Sequence, residues 1–162
     1  MPSTAAPERE SPAAAAQLKL LERRWTAPLV KAGWTALPSV VLEKQVVLGL
    51  LPIDVNILMQ IAKHWWGTES APPFPAIDSI AAAIGVTGRT VQRRITAMEK
   101  AKLIERNPRY YALGGQKSNA YTFNGLIEQC QPFAAEALTE RTRGKSRGRA
   151  RIRRRQPLKV VK

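Results

Sequence analysis

Thr87, Arg89, Thr90, Gln92, Arg93 and Thr96 fall within one short stretch of the chain. On a wheel of 100° per residue, Arg89, Gln92, Arg93, Thr96 and Lys100 point one way and Val91, Ile95 and Met98 the other. The outward groups are guanidinium, carboxamide and hydroxyl. They suit hydrogen bonding to base edges: arginine to guanine N7 and O6, glutamine to adenine, threonine to phosphate or a thymine methyl. That is recognition chemistry rather than catalysis. No glycine-rich phosphate loop and no carboxylate pair at catalytic spacing accompanies it. His64 is the sole histidine, too few ligands for a metal site and without a partner for nucleophilic attack. The chain therefore reads as a non-enzyme with no cofactor and no metal.

Thr87, Arg89, Thr90, Gln92, Arg93 and Thr96 are the candidates for base contact. Candidates for phosphate contact, which fixes register without reading sequence, are Arg94 and Lys100 beside them, and Arg109 and Lys117 further on. In the C-terminal tail they are Arg141, Arg143, Lys145, Arg147, Arg149, Arg151, Arg153, Arg154 and Arg155.

Such a face needs a helix held outward. Ala81, Gly85 and Val91 supply in order a small residue where two helices cross, a turn residue tolerant of positive φ, and an aliphatic anchor. Ile77, Ile80, Ala81 and Ile84 mark the short first helix, and Thr87 can cap the second. Upstream, Pro52 suits a first-turn position, Ile53, Ile57, Ile61, Leu58, Ala62 and Trp65 form a broad apolar face, and Gly67 is a suitable stop. This predicts a helix of about four turns. The proline-rich stretch Thr68 to Pro75 is a loop. Downstream, Lys102 to Arg106 and Ala120 to Phe123 are strand candidates joined by a basic loop over 107–119 that contains Pro108, Gly114 and Gly115.

The flanks are less regular. Residues 1–16 lack apolar periodicity and read as a disordered arm. Residues 17–51 read as an extension packing on the core: a short helix from Gln17 to Trp25 before Pro28, then Trp34 to Leu51, open between helix and strand, with Pro38-Ser39 as a possible helix start. Residues 52–128 form the central domain and 129–140 a closing helix, with Pro132 interrupting the stretch from Gly125 to Thr139. Residues 141–162 read as a disordered basic tail.

The net charge of +14 on 162 residues is distributed in blocks. Residues 1–87 are neutral, 88–119 carry +6, 120–140 carry −3 and 141–162 carry +11. Two concentrated basic blocks call for a polyanionic partner. The lone Cys130 excludes an internal disulfide, fits a reducing compartment, and has no histidine nearby to make it a reactive thiol. Trp65 and Trp66 end an apolar helix, which favours core burial over base stacking. No apolar stretch approaches the ~20 residues of a membrane helix, and Met1 to Glu10 lacks the core of a secretory signal. The expected location is the cytoplasm, at the nucleoid.

The order of helix, short helix, turn, outward helix and two-stranded wing resembles the bacterial winged helix-turn-helix superfamily. More narrowly, the runs Gly85 to Arg93, Met98 to Ile104 and Gly114 to Tyr121 look like the helix-turn-helix domains of plasmid and phage replication proteins and related transcriptional regulators. The resemblance spans roughly residues 50–128, and many relatives carry an aliphatic residue where this chain has Arg94, a position whose packing Ile95 can take over. It implies a mainly α fold with a small β-wing that binds double-stranded DNA, as a regulator or as a replication protein. A homodimer and an acidic protein partner for the tail are further expectations. The alternative is an RNA-binding or ribosome-associated basic protein led by the arginine arm.

Overall fold

The computed structural model describes residues 12–65 and 71–153, without the side chains of 12–14 and 146–153, and the described residues fall into two compact units divided after Ala36. The first unit holds α1 (Pro12–Trp25) and α2 (Ala27–Ala32). The expected disordered arm is thus helical over 12–16, where a first-turn proline followed by four alanines favours helix. Residues 1–11 lie outside the described residues. Pro28 sits in the first turn of α2, so it starts a helix as well as ending one. Val30 is buried, whereas Trp25 and Trp34 are more than half exposed.

The second unit runs α3 (Ser39–Glu43), α4 (Pro52–Ala62), α5 (Ile77–Ile84), α6 (Gly88–Lys100), β1 (Glu105–Tyr110), β2 (Gln116–Thr122) and α7 (Asn124–Arg153). Its core joins Ile57, Leu58 and Ile61 of α4, Ile80 of α5, Val91, Ile95 and Met98 of α6, Leu103 and Ile104 beyond it, Tyr121 of β2 and Leu126 of α7. Val41, Leu48 and Leu50 belong to the same core. The segment 34–51 is therefore a short helix, started behind Pro38, followed by turns, and the core begins ahead of residue 52. Helix α4 ends at Ala62, short of the expected four turns, and Gly67 lies outside the described residues. Trp65 is two-fifths exposed and packs its ring 5.0 Å from that of Phe123, so it caps the core rather than filling it. Trp66 lies outside the described residues.

The two strands pair antiparallel, Glu105 opposite Thr122 and Tyr110 opposite Gln116. The first strand starts at Glu105 and runs on through Pro108, so the connecting loop is far shorter than the expected 107–119. The register slips by one residue between Asn107 and Arg109, leaving Ser118 and Asn119 of β2 opposite Pro108. A bulge accommodates a residue with no N–H to donate, which is why proline did not end the strand. Lys102 to Ile104 is not strand, because α6 closes in a tight reversal there. The Lys102 N–H bonds the Glu99 carbonyl at 2.9 Å and the Leu103 N–H the Met98 carbonyl at 3.0 Å, with Lys102 at φ +55°.

Helix α7 corrects three expectations at once. It passes through Pro132 and continues to Arg153, so the boundary at 128, the break at Pro132 and the disordered tail up to 153 give way to a single helix. Proline forfeits one backbone bond. The lost bond is offset by the anchored first turns and by the helix formers that follow, Ala134, Ala135, Ala137 and Leu138. The Thr139 and Thr142 hydroxyls also bond back to the Ala135 and Leu138 carbonyls. The anchor is the reversal after α6: Leu126 N–H donates to the Leu103 carbonyl at 2.8 Å, and the Gln129 amide to the carbonyls of Ala101 and Lys102. Gly125 allows that approach, since a Cβ there would lie 1.9 Å from the Lys102 oxygen. No helix among the described residues is long and apolar enough to cross a membrane.

Candidate nucleic-acid interface

Helices α5 and α6 and the turn between them are built by local signals. Gly85 takes φ +71°, the Val86 N–H closes on the Ala81 carbonyl at 3.1 Å, and the Thr87 hydroxyl accepts the Thr90 N–H at 3.2 Å as the cap of α6. Ala81 is buried at the crossing, and Val91 is wholly buried. Gly88 keeps the helices close, because a Cβ there would meet the Asp78 carboxylate at 3.0 Å.

The opposite face of α6 is open. Thr87, Arg89, Thr90, Gln92, Arg93, Thr96 and Lys100 line one shallow groove together with Ile77, Asp78, Gly88 and Ala97. All six residues read as base contacts are thus on one surface, along with Lys100. Arg89, Gln92, Arg93 and Lys100 are exposed, while Thr90 and Thr96 are half-buried. Among the described residues Arg89 and Arg93 make no ion pair and no side-chain hydrogen bond. The Thr87 and Thr90 hydroxyls bond each other at 3.0 Å, which fixes their orientation at the amino end of α6, where the helix dipole favours an anion.

Arg94 departs from the sequence reading. Its Nε donates to Asp54 Oδ1 at 2.6 Å and its Nη2 to Asp54 Oδ2 at 2.5 Å, with the carboxylate completely buried. The same Oδ2 accepts the Leu51 N–H at 2.7 Å, so Asp54 also caps α4. The hydrogen bond from Asp54 raises the Arg94 pKa further above its already high ordinary value, outweighing the opposing effect of burial. Arg94 is a bolt between α4 and α6, and it leaves the set of phosphate-contact candidates. Ile95, completely buried, takes the packing position beside it. Asp54 was missed from sequence because its partner lies 40 residues away. The local hint was an acidic residue three after the residue that precedes Pro52.

The wing carries its cations differently. Arg106 pairs with Glu99 at 2.8 Å and ties β1 to the end of α6. Arg109 and Lys117 face each other across the strands, a like-charge pairing that is unfavourable in a sheet. Each lies over an aromatic ring instead, Arg109 3.7 Å from the Phe74 centroid and Lys117 4.5 Å from that of Tyr111. Phe74 comes from the loop before α5, which is held to the sheet by the Tyr121 N–H donating to the Pro73 carbonyl at 2.8 Å.

In the tail, Arg141, Arg143 and Lys145 are exposed on α7. Arg147, Arg149, Arg151 and Arg153 continue the helix backbone, their side chains undescribed, and Arg154 and Arg155 lie outside the described residues. Cations at every second position of a helix are spread around it rather than gathered on one face. His64 is exposed just beyond α4, and Cys130 is buried, which pushes its thiol pKa up and makes it a poor nucleophile.

These elements define a winged helix-turn-helix fold: a three-helix core, a capped outward helix and a two-stranded wing. No family model matches the chain, and no curated relative matches it. Among solved structures it is similar to a possible transcriptional regulator from Methanosarcina mazei, at 14% identity over 68% of this chain and 85% of that one, with a TM-score of 0.41. It is also similar to the MepR–DNA complex of S. aureus, at 18% identity over 82% and 95% with a TM-score of 0.41. A third is the YusO protein of Bacillus subtilis, at 16% identity over 88% and 99% with a TM-score of 0.38.

Proposed function

We propose that the chain is a sequence-specific duplex DNA-binding protein that sets α6 in the major groove and the wing on the flanking phosphates. One observation carries this reading: the whole outward face of α6 is open and donor-rich, with Arg89 and Arg93 free of ion pairs among the described residues. The major groove is about 12 Å wide and admits one helix. Arg89 and Arg93 are matched to guanine, Gln92 to adenine, and Thr87, Thr90 and Thr96 to phosphate or a thymine methyl. Each bidentate pair discriminates by ~1–3 kcal/mol. Lys100, Arg109 and Lys117 supply phosphate contacts, and the cations from Arg141 onward add counterion release, so the logarithm of affinity falls with that of salt by ~0.9 per phosphate neutralised.

The test is selection of bound sequences from random duplex with the full chain. A defined recovered motif supports the reading, and a palindromic one makes the bound form a two-fold homodimer. Recovery without any preference contradicts it, as does preferential retention of structured RNA in competition at physiological salt, which belongs to an RNA-binding protein. The recovered motif also separates two roles: a footprint over a promoter is that of a transcriptional regulator, and one over repeated sites at an origin that of a plasmid or phage replication protein. Deleting residues 141–162 should flatten the salt dependence; an unchanged slope assigns the tail to an acidic protein partner instead.

A further inference from the structure

The tip of the wing has a composition that the phosphate-contact reading does not use. Leu113 is completely exposed, and the neighbouring Tyr110 and Tyr111 are well over half exposed. The turn that presents Leu113 is closed by two backbone bonds, Gly114 N–H to the Tyr111 carbonyl at 3.1 Å and Tyr111 N–H to the Gly115 carbonyl at 3.0 Å. Gly114 and Gly115 supply the φ of +90° and +88° that the reversal requires. A lone exposed leucine is ordinary on a protein surface. The strands that present this one carry Arg109 and Lys117 opposite each other, one residue pair behind the turn, a like-charged pair that an anion would relieve and that the rings of Phe74 and Tyr111 hold in place.

Reach matters as well. From Arg106, anchored to the end of α6, the strand advances four residues to Tyr110, roughly 13 Å at ~3.3 Å per residue. The turn extends it further. Neighbouring major and minor grooves lie about half a helical repeat apart, roughly 17 Å of the ~34 Å turn. The minor groove, ~6 Å wide, takes a narrow hairpin tip with cations at its two phosphate walls.

We propose that Leu113 is an apolar wedge that enters the minor groove beside the site read by α6 and unstacks one base step. Apolar side chains inserted in this way kink the duplex and expose more of it to the protein. The proposal rests on the DNA-binding reading above, and its test separates the two. Duplexes recovered by selection with the full chain are remade with 2-aminopurine at single positions along and beyond the α6 footprint. In the bound complex one position outside that footprint should brighten severalfold. Leu113→Ala, at a site with no packing to lose, should abolish the brightening and weaken binding by roughly tenfold while leaving sequence preference intact. Leu113→Met should keep both. A bound complex in which no position brightens, or in which Leu113→Ala brightens as wild type does, overturns the wedge alone. Failure of the full chain to retain any duplex overturns the DNA reading and the wedge with it.

Discussion

Arg94 on α6 and Arg109 on β1 are the same residue type in the same basic block, and the molecule treats them in opposite ways. Arg94 meets a fully buried carboxylate in a bidentate pair. Arg109 faces a second cation and rests on the exposed Phe74 ring. The helix-turn-helix thus neutralises the one cation on its inner side and leaves the outer ones free, while the wing pairs Arg106 at its base with Glu99 and keeps Arg109 and Lys117 unneutralised and propped on aromatics. The lesson is that a basic residue's task is set by what it faces. Arg93 and Arg94, adjacent in sequence, demonstrate this on one helix.

The largest expected effect breaks the inner half. Arg94→Ala strands the buried Asp54 carboxylate and should cost about 3–5 kcal/mol in urea unfolding. Replacing both residues with leucine should recover most of that, and a loss below about 1 kcal/mol for Arg94→Ala would remove the bolt from the account. Arg93→Ala next door should change stability by no more than about 0.5 kcal/mol. Next in size is Gly125→Ala, at the joint where α7 meets the reversal between α6 and the wing. Its Cβ is aimed at the Lys102 carbonyl, and a loss of about 1–3 kcal/mol is expected in the same assay. Smaller again is Lys102→Gly, which replaces a side chain at φ +55° and should raise stability by about 1 kcal/mol. The smallest effect lies in the wing: Lys117→Ala should leave stability unchanged or raise it by a few tenths of a kcal/mol. It should also reduce the salt slope of DNA binding by about one. Loss of stability comparable to that of Arg94→Ala would make the wing cation structural.

The legible parts of this molecule are those written within a few residues. Gly85 at positive φ, Thr87 as cap, and the period of Val91, Ile95 and Met98 are local, and the outward face of α6 follows from them by subtraction. Features that depend on distant partners were not legible. Asp54 reads as one more polar residue until Arg94 arrives from another helix, and Phe74 reads as loop until Arg109 lies over it. The length of the wing strands was not legible because Pro108 signals a break to any local rule, whereas the opposite strand absorbs it in a bulge. Pro132 misled in the same way. Its cost is one hydrogen bond, and the docking of Leu126, Gly125 and Gln129 on the reversal after α6 is invisible in the run of residues that contains it.

The central claim, that the outward face of α6 reads base sequence, is tested most directly by titrating wild type and Arg93→Ala against a selected duplex and its scrambled counterpart at one salt concentration. The account predicts that Arg93→Ala loses ~1–3 kcal/mol of discrimination while its affinity for the scrambled duplex stays near that of wild type. An equal loss on both duplexes would place Arg93 on the phosphate backbone and contradict the claim.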